Sequence, residues 1–260
     1  MDYEINAAVL NELLLAPRPE LELEAAWSDL SRVLPELAAL DMDQGGARLH
    51  KDNVAHTIAV MAKTPARLRV RLLALFHDVG KPPTRRIEGS VVTFHQHEQV
   101  GGPLATHALL RLGYDRDLAK EVGRLVSLSG STKGSQLWTD GAVRRFVAEA
   151  GELLDDLLDF VAVDVTSRHE HKHREVAAEV AALRVRIDEV RCRDEARAWR
   201  PVVSGDELMA RYELSPSPLL GQLLARVSAA QKAAEAKGLS YSKEQAFELL
   251  DAELGCPRSA

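Results

Sequence analysis

The sequence predicts an all-α protein, and three observations support this prediction. Alanine and leucine dominate a composition that is 46% hydrophobic but only 5% aromatic, which favours helices over strands. Stretches with helical periodicity are separated by capping residues, prolines and glycines along most of the 260 residues. Strands that alternate with helices are missing, as are the patterns GxGxxG and GxxxxGK[ST], which argues against a nucleotide-binding α/β fold.

Caps and prolines locate the helices of the first hundred residues. The segment 24–40 has helical periodicity with a break at a proline. Asp52 can cap the helix that follows it. Thr64 followed by Pro65 is typical of a helix start, and the helix after them is predicted to end at Gly80 in a left-handed conformation.

The rest of the chain also reads as helices joined by short polar segments. The predicted elements are a short extended piece at 89–94 and helices at 98–112, from Asp115 to Leu128, from Thr139 or Asp140 to Gly151, from Glu152 past Arg168 to about Trp199, and at 241–254. Pro201 marks a boundary. We therefore expect an N-terminal helical segment at 1–45, a central domain at 46–200 and a small C-terminal helical extension at 201–260.

Charge and cysteine usage narrow the possible classes of function. The formal net charge of -6 argues mildly against indiscriminate nucleic-acid binding. Cys192 and Cys256 lack the spacing of a disulfide framework or a zinc ribbon and fit a reducing cytosol. No apolar run is long enough to span a membrane and no signal-peptide pattern is present, so we expect a cytoplasmic protein without a membrane partner.

Four polar residues in apolar surroundings are candidates for a metal site. His56 lies among apolar or small neighbours in VAHTIAV, and His77 and Asp78 follow the apolar run LLALF. Asp164 follows LLDFVAV and is predicted to lie in the middle of a long helix, on its apolar face. Because an unpaired carboxylate is costly there, we expect it to have a cationic or metal partner. Two imidazoles and two carboxylates suit Mn, Fe, Co, Ni or Zn, and suit Mg less well.

Structural interpretations of the same residues remain open at this point. The His-Asp pair of LFHDV could be a helix cap or a surface pair, and His56 could be a core histidine with satisfied hydrogen bonds. Asp164 could pair with an arginine, for example Arg144 or Arg145. Spacing alone does not decide between these interpretations and a metal site.

The order of these motifs resembles the H…HD…D signature of the HD-domain metal-dependent phosphohydrolases, and HDVGKP matches the most recognisable part of that signature. The chain is similar in particular to the HD-containing C-terminal half of bacterial tRNA nucleotidyltransferases, the CCA-adding enzymes. The matching pieces run in the order of that family from about Val33 to Val227 and are VLPELAAL, HKDNVAHT, LLALFHDVGKPPTRR, VTFHQHEQVGG, RLGYDRDLAKEVGRLV, WTDGAVRRFV, VAVDVTSR and SGDELMARYELSPSPLLGQLL.

The resemblance implies a fold, a set of ligands and a reaction. The fold would be an all-α HD-domain helical bundle at 46–200 with the small helical C-terminal extension. His56, His77, Asp78 and Asp164 would bind a divalent metal ion, namely Mn, Ni, Co, Fe or Mg. The activity would be that of a metal-dependent phosphodiesterase or phosphatase that acts on a nucleotide, a 2′,3′-cyclic phosphate or a similar phosphate ester.

Catalytic and substrate-binding roles are expected for residues close to the HD motif. By resemblance, Asp78 would both bind the metal and orient water, and His97 matches a position that supplies a further ligand or catalytic group. His97 could protonate the leaving oxygen, or it could simply cap the start of its helix. Lys81, Arg85 and Arg86 are cations that could bind the substrate phosphate, and Lys81 could also offset charge during the reaction.

Three further groups complete the set of candidates. The segment 67–86 is a local basic patch, in which Arg67 and Arg71 are expected to lie on an ordinary solvated helix face. Glu98 could orient an imidazole of the site. The histidines of HEHKHR, 169–174, have an i, i+4 pair that could bind a metal loosely, but an exposed polar helix face explains them better.

Two departures from the resembling family point to an alternative function. The 260 residues contain neither the glycine-rich strand turn nor the paired catalytic aspartates of a nucleotidyltransferase head, so we do not expect nucleotide addition to tRNA. The stretch VSLSGSTKGS, 126–135, has serines and a lysine where relatives with a richer metal site often carry histidines. The alternative is a stand-alone tRNA- or RNA-binding or accessory module with a vestigial metal site, or a partner of a separate nucleotidyltransferase.

Overall fold

The structure is a computed structural model that describes residues 5–42, 52–89, 91–165, 167 and 169–255. The chain divides into two compact units, Met1–Arg191 and Cys192–Ala260, and each has a hydrophobic core of its own. The all-α prediction is confirmed, because 71% of the described residues are helical and they contain a single two-stranded sheet. The sequence-based bounds of the three regions stay predictions.

The helices follow one another with short connections. They are α1 (Ala7–Leu15), α2 (Pro19–Val33), α3 (Pro35–Ala38), α4 (Asn53–Met61), α5 (Leu68–Phe76), α6 (Lys81–Thr84), α7 (His97–Arg111), α8 (Arg116–Leu128), α9 (Asp140–Ala150), α10 (Leu154–Val161), α11 (Glu170–Ala198), α12 (Gly205–Tyr212), α13 (Pro218–Glu235) and α14 (Lys243–Leu254). Strands β1 (Arg86–Glu88) and β2 (Val91–Thr93) form an antiparallel hairpin. No helix among the described residues combines the length and the apolar character that crossing a bilayer requires.

Several predicted helix boundaries are confirmed by hydrogen bonds at the caps. Asp52, Asp115 and Thr139 accept bonds from backbone N–H groups in the first turns of α4, α8 and α9 respectively. Helix α7 is followed by Gly113, whose φ of 86° is the left-handed conformation that glycine adopts without strain. The extended piece predicted at 89–94 contains β2 of the hairpin.

The predicted start of α5 is wrong. The Thr64 hydroxyl donates to the carbonyl oxygen of Val60 across 2.8 Å, so it serves the end of α4. Helix α5 begins later, at Leu68, with no side-chain cap. A threonine hydroxyl can bond either to the turn before it or to a helix after it, and the sequence does not show which bond forms.

Helix α5 is the centre of the first unit. Every residue from Val70 to Phe76 is buried, and the helix packs against α1, α4, α8 and α10. A helix that is buried on all sides is fixed by its neighbours, because each large apolar side chain contributes about 1.5–3 kcal/mol by leaving water. The residues that directly follow Phe76 therefore project from a rigid element.

Candidate metal centre

Three side chains from separate parts of the first unit meet in one cluster. His56 comes from α4, His77 directly follows α5, and Asp164 follows α10. One ligand atom of each lies within 4.8 Å of the others, and we call this set the His–His–Asp cluster. Asp164 Oδ1 is 3.0 Å from His56 Nε2 and 3.8 Å from His77 Nε2. These are three of the four predicted ligands.

The orientation of the His77 ring leaves a nitrogen available to a metal. Its Nδ1 donates to the carbonyl oxygen of Ala74 across 2.8 Å, which in the neutral ring leaves the lone pair on Nε2. Nε2 is buried and has no hydrogen-bond partner among the described residues. Asp78 Oδ2 lies 3.3 Å away but outside the directions of a hydrogen bond. A buried acceptor without a partner is costly, and a metal ion would satisfy it.

The charge state of His77 reflects two opposing effects. Burial alone would lower its pKa, but the negative charges of Asp78 and Asp164 outweigh burial and raise the pKa to about 9. A proton therefore occupies this site at neutral pH when no metal is bound. A divalent cation, attracted by the same two carboxylates, would displace that proton on binding.

Asp78 lies beside the cluster and is held in its ionised form. Its side chain is only 3% exposed, and Oδ2 accepts a 2.6 Å bond from the ammonium of Lys81. Burial would raise the pKa of this carboxyl, but the charges of His77 and Lys81 hold the pKa well below its usual range. Asp78, the fourth predicted metal ligand, therefore has one carboxylate oxygen that is already bonded to Lys81.

Asp164 is not in the middle of a helix, and this prediction is wrong. Helix α10 ends at Val161 and α11 begins at Glu170, so the long helix predicted from residue 152 is interrupted. The β-branched residues Val163 and Val165 around Asp164 disfavour a helix by restricting their side-chain rotamers. The interruption turns the carboxylate toward His56 instead of fixing it on a helix face.

The two imidazoles keep the Asp164 carboxylate charged. Burial would raise the pKa of this group, but the charge on His77 and the hydrogen bond from His56 together lower it. Asp164 therefore pairs with the two histidines, which resolves its expected need for a cationic or metal partner. The cluster carries the neutral nitrogen and anionic oxygen donors that divalent transition metals prefer.

Gly80 does not have the predicted left-handed conformation. Its φ is -81° and its ψ is -10°, which any residue can adopt. A Cβ at this position would lie 1.9 Å from the carbonyl oxygen of His97 and 2.7 Å from the backbone nitrogen of Gly101. Glycine is therefore required by the close approach of α7, and this approach fixes the first turn of α7 against the HD motif.

That approach brings His97 next to Asp78. Its Nδ1 lies 2.9 Å from the carbonyl oxygen of Phe94, and its Nε2 lies 3.7 Å from Asp78 Oδ1. Glu98 Oε2 is 3.3 Å from Nδ1, and Glu98 Oε1 accepts a 3.2 Å bond from Lys133. The sequence singled out Glu98, but it gave no signal that a lysine in the loop after α8 would hold it.

Two arginines of the predicted basic patch are neutralised by carboxylates on other helices. Arg67 pairs with Asp156 and Asp159, and Arg69 pairs with Asp156 and Glu121. Arg71 is buried rather than solvated, and its guanidinium donates to the carbonyl oxygens of Leu14 and Ala16 at the end of α1. The expectation for Arg71 is therefore wrong. The acidic partners lie far along the chain, so the local sequence could not show the pairing.

The predicted substrate-binding cations differ in their positions. Lys81 begins α6 and contacts Asp78 directly. Arg85 follows α6, and its Nε is buried without a hydrogen-bond partner among the described residues. Arg86 is exposed on β1, and within the described part of the chain neither arginine has a polar contact with the cluster. Only Lys81 is therefore placed at the site by a contact.

The histidine-rich stretch at 169–174 is an exposed polar segment, as expected. His169 and His171 are exposed, and His173 Nε2 is 2.8 Å from the carbonyl oxygen of Ser167. Within the described residues, the candidate metal-binding group is the His–His–Asp cluster and does not include these histidines.

Comparison with known proteins agrees with this geometry. Residues 50–155 match the family model described as HD domain. The chain contains an HD domain. Domains of this family bind divalent metals. His56, His77 and Asp78 lie inside the matched residues of the HD domain, whereas Asp164 lies beyond them and is brought to the site by the fold.

Two curated relatives are tRNA nucleotidyltransferases. The chain is 33% identical to the CC-adding tRNA nucleotidyltransferase of Thermus thermophilus over 247 residues, which are 91% of this chain and 54% of that protein. It is 32% identical to the A-adding tRNA nucleotidyltransferase of Deinococcus radiodurans over 238 residues, which are 87% of this chain and 54% of that protein. The chain thus spans about half the length of these relatives, and the similarity extends past the HD domain into the second unit.

Proposed function

We propose that the chain is a divalent-metal-dependent phosphohydrolase of the HD type. The observation that supports this most strongly is the His–His–Asp cluster with the buried, unpartnered Nε2 of His77. Two carboxylates lie within 4 Å of this nitrogen, so a divalent ion bound there would have an imidazole nitrogen and anionic oxygens as donors. Perturbed titratable groups in contact with one another are typical of functional sites.

His56, His77 and Asp164 would hold the ion, with Asp78 beside them. When bound, a divalent ion supplies polarisation of a phosphoryl oxygen and a lower pKa for a water molecule at the site. The imidazole nitrogens favour Mn, Ni, Co or Fe over Mg, although all five remain within the proposal. Asp78 keeps one oxygen, Oδ1, that is not engaged by Lys81 and can accept a proton or a hydrogen bond from water.

Lys81 and His97 would provide the remaining chemistry. The Lys81 side chain is 17% exposed, and its ammonium contacts Asp78, from where it can contact an oxygen of a bound phosphate and offset negative charge as it develops. The Nδ1 of His97 is fixed by Phe94 and Glu98, so its Nε2 faces the site and can deliver a proton to the leaving oxygen. The substrate would be a nucleotide, a 2′,3′-cyclic phosphate or a similar ester.

Hydrolysis assays with purified protein test this proposal. Nucleoside 2′,3′-cyclic phosphates, linear nucleotides and a chromogenic diester would be offered with Mn, Ni, Co, Fe and Mg in turn. We expect turnover that requires metal and falls at least a hundredfold in Asp78→Asn and His77→Gln. His107→Gln is the matched control, because His107 is exposed on α7. Circular dichroism would establish that each variant is folded. Absence of turnover with all metals and all substrate classes would refute the proposal.

A second candidate is a tRNA-binding or accessory module, since the relatives that share both units are named as tRNA enzymes. Three cations of the described part of the second unit are already paired with carboxylates, which weakens this candidate because phosphate contacts supply most of the affinity for RNA. These ion pairs are Arg211 with Asp251, Arg226 with Glu253, and Lys243 with Glu207. Salt-dependent retardation of tRNA would favour this candidate. Co-purification with a nucleotidyltransferase would favour a role as its partner.

The cytoplasmic location stays a prediction.

A further inference from the structure

A pocket with two cationic side chains in its lining lies near the His–His–Asp cluster in the first unit. Its volume is about 440 Å³, and it lies where the end of α4, the turn after α10 and the start of α11 meet. We call it the Lys63 pocket, and the residues that line it include Lys63, Ala162, Val163, Glu170, His173 and Arg174. The reaction proposed above uses none of these side chains.

The positive charge of Lys63 is not compensated by a carboxylate within the described part of the chain. Its Nζ lies 3.3 Å from Nδ1 and 3.4 Å from Nε2 of His173. Because Nε2 must carry a hydrogen to donate to the carbonyl oxygen of Ser167, 2.8 Å away, only Nδ1 can accept from the ammonium. Lys63 therefore keeps at least two of its three donors for a ligand.

The remaining charges of the pocket also favour an anion. Arg174 is 4.0 Å from Glu170, and both side chains are largely exposed, so this pair holds the guanidinium weakly. The first turn of the long helix α11 adds positive potential from its backbone N–H groups. An anion in the pocket would thus meet two cations and one carboxylate, that of Glu170.

The chain connects the Lys63 pocket to the cluster at two points. Val163 of the pocket directly precedes Asp164 of the cluster, so their Cα atoms are about 3.8 Å apart. Lys63 follows His56 by seven residues, which is two helical turns on the same side of α4 and the turn after it. This spacing corresponds to about 10 Å along the helix axis. The pocket is therefore close to the cluster.

We propose that the Lys63 pocket binds a second phosphate of a substrate whose reacting phosphate lies at the His–His–Asp cluster. The inference rests on the proposed function and narrows it to substrates that carry at least two phosphates. A nucleotide with one phosphate cannot place it at both ends of a span of about 10 Å. An oligonucleotide strand can do so, and a nucleotide phosphorylated at both its 5′ and 3′ positions can do so when the long Lys63 side chain reaches toward it.

Binding without turnover tests this inference. The probes would be fluorescent phosphorothioate oligouridylates of two and of four nucleotides, which keep the negative charge of each link and resist hydrolysis, with Mn present. We expect the four-nucleotide probe to bind the native protein roughly tenfold more tightly than the two-nucleotide probe. Lys63→Met should remove most of this difference. Lys172→Met is the matched control, because Lys172 is exposed on α11, pairs with Glu175 and does not line the pocket.

The outcomes separate this inference from the proposed function. Equal binding of both probes to the native protein, or equal weakening by both substitutions, would overturn the second-phosphate site. Absence of turnover by the native protein in the hydrolysis assay would overturn the phosphohydrolase proposal but would leave the binding result unchanged. Uridine 3′,5′-bisphosphate identifies the source of the second phosphate: if it binds as tightly as the four-nucleotide probe, the pocket recognises a terminal phosphate, and if it binds more weakly, the pocket recognises a strand.

Discussion

His77 is oriented by Ala74, which lies one helical turn before it. The 2.8 Å bond from His77 Nδ1 to the Ala74 carbonyl oxygen closes the last turn of α5 and directs Nε2 toward Asp164. The same turn that ends the buried helix thus presents the proposed ligand, so the ring needs no further partner to be aligned. A ligand held this way loses little conformational freedom when a metal binds.

Substitution of His77 should weaken metal binding. His77→Gln removes the buried Nε2 that faces the two carboxylates, and we expect the affinity for Mn or Ni to fall at least tenfold. Isothermal titration calorimetry and metal analysis of the dialysed protein would measure this. His107→Gln changes an exposed histidine of α7 and should bind metal as the native protein does. Equal metal content in the two variants would contradict the assignment of the cluster.

The metal-free protein should lose stability between pH 6.5 and pH 9. Burial alone would lower the pKa of His77, but Asp78 and Asp164 raise it to about 9, whereas the unfolded value is about 6.5. The charged ring therefore stabilises the fold fully below the unfolded pKa, and this contribution is lost as the pH rises through the folded pKa. The loss should be of the order of 3 kcal/mol.

Chemical denaturation in the presence of a chelator, at pH 6 and at pH 9.5, measures this change. His77→Gln has no group that titrates at this position, so its free energy of unfolding should vary much less over the same interval. A pH response as large in the variant as in the native protein would show that other groups cause it.

Gly80→Ala should destabilise the first unit. The added Cβ would collide with backbone atoms of His97 and Gly101, which cannot move as a flexible side chain could. We expect a loss of about 1–3 kcal/mol in denaturant unfolding, together with weaker hydrolysis as α7 and His97 are displaced. Gly141→Ala is the control, because the nearest atoms to a Cβ there are 3.8 Å away. An unchanged midpoint in Gly80→Ala would refute the close approach.

Arg71→Met should destabilise the protein without affecting a phosphate ligand. The guanidinium is buried and donates to two carbonyl oxygens at the end of α1, which would be left without these donors. The expected cost is about 1–3 kcal/mol in the free energy of unfolding. Arg32→Met removes an exposed arginine paired with Asp29 and should cost less than 1 kcal/mol. Similar values for the two variants would mean that the Arg71 contacts contribute nothing.

The sequence by itself determined the all-α fold and several helix starts. Asp52, Asp115 and Thr139 could be identified as caps because each accepts bonds from backbone N–H groups two or three residues further along the chain. The proposed ligands His56, His77 and Asp164 were also identified, from polar groups in apolar surroundings and from a resemblance. Local patterns are sufficient wherever the interaction itself is local.

Only the tertiary structure decided which groups meet. Asp164 contacts His56 across 108 residues because α10 ends early, and Arg69 is neutralised by Asp156 and Glu121 from other helices. The role of Gly80 depends on a neighbouring backbone rather than on its own φ. Ion pairs and close packing form between atoms that are near in space. A sequence pattern relates residues that are near along the chain, so it could not predict these contacts.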